Sequence, residues 1–278
     1  MWAVLAAAGE AGTDGRMTVE DVAFVAECDG TTQRYVLMLP KGFDKTAPHD
    51  LLIALHGHGS DRWQFTGGTY ATGIAARDTA CERGLILVLP DYRAKTSWMG
   101  PKAEADVCQI IAAIKTEYQV EKVFVCGGSM GGSSALTFTA LHPGLVDGVA
   151  AMNGTANHLE YEGFQDAISA SFGGTKAEIP FEYKKRSAEY WPERFTMPVG
   201  ITASGKDDVV PPQSVMRLAN VLDKLGRRVL TVYREDMGHS SSPEDARRVI
   251  AFVMDEAYRI EKAGPEGGAR GKDVVIPE

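Results

Sequence analysis

The chain has 278 residues, 44% of them apolar, enough for one sizeable core with an insertion. With 29 basic against 37 acidic residues the formal net charge is −8, and no basic stripe is visible, which argues against nucleic acid and anionic membranes as partners. No apolar run is long enough for a membrane span, and Cys28, Cys81, Cys108 and Cys126 show neither a CxxC pair nor a metal-ligand spacing.

Taken in order, residues 1–17 read as an N-terminal extension. Residues 1–8 are apolar and alanine-rich with no preceding Lys or Arg, a poor complete signal peptide that would fit the remnant of a trimmed, secreted one. Nothing in the cysteines calls for an oxidising compartment, which favours a cytoplasmic location. Runs at 19–28 and 33–39 flank Asp29-Gly30 and predict an antiparallel hairpin. Apolar runs at 51–55, 85–89, 122–126, 146–152, 199–203 and 229–233 predict the remaining strands. Helical patterns fall between and after them, at 70–83, 102–118, 131–141, 212–225 and 243–262. This alternation predicts one α/β domain over 18–262, with a mostly parallel central sheet flanked by helices. Residues 263–278, rich in glycine and charge, are expected to be a flexible tail.

One connection breaks the rhythm. Residues 154–196 are too many for an ordinary strand-to-helix link. They carry helical patterns at 158–171 and 180–190 and the aromatics Tyr161, Phe164, Phe172, Phe181, Tyr183, Tyr190 and Trp191. A helical cap over the strand ends is expected, with most of these rings packing it onto the domain and some lining a pocket.

The most informative stretch is Val123-Phe124-Val125-Cys126-Gly127-Gly128-Ser129-Met130-Gly131-Gly132. A strand-like run enters Gly-x-Ser-x-Gly and a helix-competent run leaves it. A serine on so sharp a turn is exposed at the strand end, and the helix that begins there offers unpaired N–H groups. Side chains at Gly127 or Gly131 would collide with neighbouring backbone. A serine hydroxyl needs a base, and the base needs an orienting carboxylate. Both follow downstream on loops after strands: Asp207, with Asp208 as its rival, and His239. In a parallel sheet those loops converge where ligands bind. His142 reads as a helix-end residue meeting a last-turn carbonyl, His49 as a loop residue, and His158 as the opening of a cap helix; all three are taken as structural.

A tetrahedral intermediate needs donors for its oxyanion. The backbone N–H of Met130 is one candidate. Leu55-His56-Gly57-His58-Gly59 offers the other, with His58 preferred over Gly57 and Gly59, and the His56 ring bracing the loop. Metal binding by His56 and His58 lacks a completing ligand set, so no metal is expected there. Trp98, on the loop 91–101, and Trp63 and Trp191 are candidate substrate-binding rings. Asp91 and Arg93 would pair to hold that loop.

With these residues in view, the chain resembles the serine-dependent α/β-hydrolase superfamily over about 34–261. The resemblance rests on Leu55-His56-Gly57-His58-Gly59, Gly127-Gly128-Ser129-Met130-Gly131-Gly132, Asp207 with Val210-Pro211, and Gly238-His239. Within it the chain is similar to compact carboxylesterases of the feruloyl and acetylxylan esterase type, and to the catalytic domain of prolyl-oligopeptidase-like enzymes. That likeness implies an α/β-hydrolase fold and hydrolysis of carboxylic esters through an acyl-enzyme, with no metal or organic cofactor. A small-molecule or carbohydrate-linked ester of a short or small aromatic acid is the expected substrate. The alternatives are a serine peptidase, for which the chain lacks room for a gating propeller, dienelactone-type hydrolysis, in which cysteine usually stands where Ser129 does, and a hydrolase-fold binding protein without catalysis.

Overall fold

The computed structural model describes residues 15–263 and a two-residue strand at Val274–Val275. Nine strands form one sheet in the order β1-β2-β4-β3-β5-β6-β7-β8-β9. They are β1 Met17–Val25, β2 Thr32–Pro40, β3 His49–Leu55, β4 Ile86–Pro90, β5 Val120–Gly128, β6 Gly148–Met152, β7 Val199–Ser204, β8 Val229–Arg234 and β9 Val274–Val275. β1 pairs with β2 and β2 with β4 antiparallel; every other pairing is parallel. This is the α/β-hydrolase fold. Most of the expected tail, like most of the N-terminal extension, lies outside the described residues; β9, which no sequence pattern announced, pairs beside β8.

The hairpin differs from its predicted form. The register pairs Val25 with Thr32, so six residues turn the chain instead of Asp29-Gly30 alone. Asp29 holds that wider turn by accepting from the Thr31 N–H and hydroxyl, a local bond that competes with strand pairing.

The helices are α1 Ala71–Arg83, α2 Pro101–Glu117, α3 Met130–Leu141, α4 Gln165–Phe172, α5 Pro180–Lys185, α6 Gln213–Lys224 and α7 Pro243–Ala263. Alternation along each strand divides the core. Leu52 and Ala54 of β3 meet Ala75, Ala76 and Ala80 of α1 and Val249, Ile250 and Val253 of α7 on one face. Leu51, Ile53 and Leu55 meet α2, α3 and α6 on the other. The central parallel strands are covered on both faces, which is why they read as continuous apolar runs.

The insertion follows β6. Its helices are shorter than predicted, because 155–164 is a series of turns and the second pattern breaks into α5 and two 3-10 turns, Ala188–Tyr190 and Pro192–Arg194. Ile168, Phe172, Tyr183, Phe195 and Met197 bury themselves in the same core half as α2, α3 and α6. The segment therefore packs mainly onto one side of the domain.

Candidate active site

Strand order reverses at β3. The chain steps from β3 to β4 on one side and then to β5 on the other, opening a crevice at the carboxyl ends of β3 and β5. Leu55 pairs with Gly127, so the loop after β3 and the turn after β5 emerge side by side. Ser129 occupies that turn with φ 57° and ψ −122°, a conformation that costs energy and is held by its surroundings. A Cβ on Gly127 would strike the Gly131 backbone, and one on Gly131 would strike the Leu55 carbonyl. Only glycine at both positions lets β5, α3 and β3 close up beneath the serine.

Loops after β7 and β8 deliver the other two residues. His239 Nε2 stands 2.8 Å from Ser129 Oγ, and His239 Nδ1 stands 2.8 Å from Asp207 Oδ2. Asp207 Oδ1 accepts the N–H groups of Val209 at 3.1 Å and Val210 at 2.8 Å. Burial pushes the Asp207 carboxyl up, but the hydrogen bond from His239 and the two amides outweigh it and hold the group below the usual carboxylate range. The rival Asp208 is exposed and makes no such bond. An ionised carboxylate here orients the imidazole and stabilises a proton on it, and the same imidazole can take the serine proton.

Two N–H groups are left over beside the serine. Gly57 N–H donates to Gln64 Oε1 at 2.7 Å and Gly59 N–H to the Lys95 carbonyl at 2.9 Å, whereas the His58 N–H between them meets no acceptor among the described residues. The Met130 N–H, first of α3, is also unpaired, as first-turn donors are. The His56 ring lies 2.9 Å from the Gly57 carbonyl and 3.1 Å from that of Asp91, while Tyr92 Oη donates to the His56 carbonyl. His56 thus braces the loop from within.

A cavity of about 590 Å³ opens over Ser129. His58, Gln64, Thr69, Thr72, Asn153, His239, Ser240 and Ser241 supply its polar wall. Phe164 and Tyr70 flank it and are 39% and 60% exposed. Among the described residues, no Asp, Glu, Lys or Arg lines it. Of the seven insertion aromatics singled out from the sequence, Phe164 alone lines this cavity.

None of the three tryptophans lines it. Trp98 is fully buried, its indole N–H donating to His58 Nδ1 at 3.1 Å. Trp63 sits against the core with the Arg62 guanidinium over its ring, and Trp191 donates to the Lys184 carbonyl beneath Arg194. The ring type was legible from sequence; the side it faces was not. Asp91 and Arg93 do not pair with each other either. Asp91 binds Arg62, and Arg93 reaches Asp106 and Asp29. His142 pairs with Glu104 instead of a helix carbonyl, His49 begins β3 against the Gly84 carbonyl, and His158 is buried on Thr137.

Sequence reasoning also passed over Asn153, the residue that ends β6. Its side-chain amide donates to Ser204 Oγ at 2.9 Å, and its Oδ1 accepts from Thr202 and Ser241. Ser204 in turn donates to the Ser240 carbonyl, next to His239. Asn153 therefore ties the ends of β6 and β7 to the histidine loop. Its place at a strand's carboxyl end was the available signal.

Residues 78–257 match the prolyl oligopeptidase family of peptidases. The chain belongs to that family. Similar folds among solved structures span both esterases and peptidases. An acetyl xylan esterase from Paenibacillus superposes with a TM-score of 0.69 at 16% identity, covering 91% of this chain and 88% of its own. An S-formylglutathione hydrolase from Agrobacterium tumefaciens gives 0.67 at 13% identity, covering 89% and 97%. An acylaminoacyl peptidase from Pyrococcus horikoshii gives 0.64 at 16% identity, covering 87% and 41%. This prolyl oligopeptidase family member spans only 36% to 41% of the peptidase chains it resembles. Among the described residues, no cluster of three or more His, Cys, Asp or Glu is placed to hold a metal, and no helix is long and apolar enough to cross a membrane.

Proposed function

We propose that this serine hydrolase is a carboxylesterase. Ser129 attacks the ester carbonyl, His239 takes its proton and passes it to the leaving alcohol, and Asp207 holds the imidazole and balances its charge. The main-chain N–H groups of Met130 and His58 receive the oxyanion. Water activated by His239 then releases the acid.

The observation that carries the choice of ester over peptide is the uncharged cavity wall. A peptidase that reads a chain terminus must neutralise a charge on it, and buried charges are recognised by paired opposite charges. The wall here offers the hydroxyls of Thr69 and Thr72 and the amide of Gln64, between the Phe164 and Tyr70 rings. That chemistry suits a neutral, hydroxyl-bearing alcohol, including a sugar, and an acyl group that is short or a small aromatic ring. The family assignment keeps a peptidase as the second reading. Alkyl and sugar esters of acetic and ferulic acids, compared with peptide anilides, separate the two. A larger kcat/KM on the esters supports the proposal. A larger kcat/KM on the amides, or faster turnover as the acyl chain grows long, overturns it.

A further inference from the structure

Trp98 was expected to meet substrate, yet it lies wholly inside the protein, 0% exposed, on a loop of unusual conformation. Trp98 and Met99 both have left-handed backbones, φ 44° and 57°, which non-glycine residues adopt only when neighbours enforce it. The enforcement comes from the insertion. Ser171 donates to the Ser97 carbonyl, and the buried Arg186 donates to the Met99 carbonyl at 2.7 Å. The indole is packed by Tyr161 and Phe164, with ring centroids 5.5 and 5.6 Å away, and by the edge-on His158. Its one polar atom reaches the His58 ring.

Indole Nε1 can only donate. His58 Nδ1 must therefore be the acceptor, and the neutral ring carries its proton on Nε2. Charging the ring would put a second N–H on Nδ1, directly opposite the indole N–H. The groups around His58 give no compensation. Phe164 packs against it at a tilt, with ring centroids 4.2 Å apart, and among the described residues no carboxylate pairs with it. Nearby titratable groups are Tyr161, bound to the Val209 carbonyl, the buried His158, and His239 on the same cavity wall. Partial burial already holds the His58 imidazole below its ordinary value.

We propose that Trp98 is a positioning residue: its indole N–H fixes His58 as the uncharged Nε2–H tautomer and holds the His56-Gly57-His58-Gly59 loop so that the His58 main-chain N–H stays turned to the cavity. The insertion then serves the reaction at one remove. It clamps the 97–99 loop, that loop holds Trp98, and Trp98 holds the oxyanion-side loop. An uncharged His58 matters because the reaction builds positive charge on His239. A second imidazolium on the same wall would oppose it.

The kinetic part of this rests on the carboxylesterase reading; the tautomer does not. Nitrogen-15 NMR of the imidazoles in the whole, unliganded protein reads it directly. Wild-type His58 is expected as the Nε2–H form, with its titration displaced below the ordinary imidazole range. A Nδ1–H form, or titration near 6.5, overturns the proposal even if ester turnover is robust. Trp98→Phe keeps an aromatic ring in the core and removes the indole N–H donor. His58 should then titrate higher than in the native protein, because no indole N–H opposes a second proton on Nδ1. kcat, read on esters or as the rate of fluorophosphonate labelling of Ser129, should fall about fivefold at pH 8 with KM little changed. The acid limb should gain a second inflection, and Trp98→Phe with His58→Asn, which cannot ionise, should lose it. A single inflection in Trp98→Phe, or its persistence in the double variant, refutes the role. Absence of ester turnover with the tautomer as expected would refute the carboxylesterase reading alone.

Discussion

Two histidine–carboxylate pairs of equal length sit in this protein and do different things. His239 Nδ1 meets Asp207 at 2.8 Å; His142 Nε2 meets Glu104 at 2.8 Å. At the first pair the other ring nitrogen faces the Ser129 hydroxyl and a cavity. At the second, the same nitrogen that holds Glu104 also lies 3.6 Å from Cys108 Sγ, and Glu104 is shared with the buried Arg186 at 2.7 Å. Arg186 also holds Glu182, so insertion, α2 and the end of α3 are knotted together by charge. The Cys108 and Glu104 contacts push His142 up to about 9. Glu104, although burial opposes it, is held down to about 2 by His142 and Arg186. A cavity of about 590 Å³ lies over this knot as well, as large as the one over Ser129. Cavity size does not separate the two regions. What separates them is how the imidazole is used: His239 bridges a carboxylate and a serine hydroxyl through its two nitrogens, whereas one nitrogen of His142 meets both Glu104 and Cys108.

Substitutions sharpen the contrast. The largest effect is expected at the first pair: Ser129→Ala should abolish fluorophosphonate labelling and lower kcat by about 10⁴- to 10⁶-fold. Asp207→Asn should cost about 10⁴-fold by favouring the wrong tautomer, while Asp208→Asn changes kcat little, and steady-state kinetics would reveal a reversal of those roles. At the second pair the damage should fall on stability. Arg186→Ala leaves the half-buried Glu104 short of a partner, and denaturant unfolding should register a loss of about 3 kcal/mol. Asn153→Ala should lower kcat about ten- to a hundredfold with the fold intact, because the histidine loop loses its tie to β6 and β7; unchanged kcat would remove Asn153 from the positioning network.

The smallest effect is a pH signature. His142 gains affinity for its proton on folding, so its contribution is fully present below about pH 6.5 and is lost as the pH rises through about 9. The stability difference between the native protein and His142→Gln should therefore shrink by about 1–2 kcal/mol over that window, once solvent screening is allowed for. A difference that grows with pH would mean that His142 is neutral in the folded protein.

The sequence by itself determined the alternation of strands and helices, the strand–serine–helix turn, and the order of serine, acid and histidine. Each of these is written in local periodicity or in residues with fixed backbone demands, such as Gly127 and Gly131. The choice of Asp207 over Asp208 was half legible, since only folding gave one carboxylate two amides and a histidine and left its neighbour in water. Only the tertiary structure decided which way Trp63, Trp98 and Trp191 face, how the insertion packs, and how Glu104, Arg186 and Asn153 join distant segments. Those outcomes depend on which surfaces meet across tens of residues, and no local pattern encodes the partner.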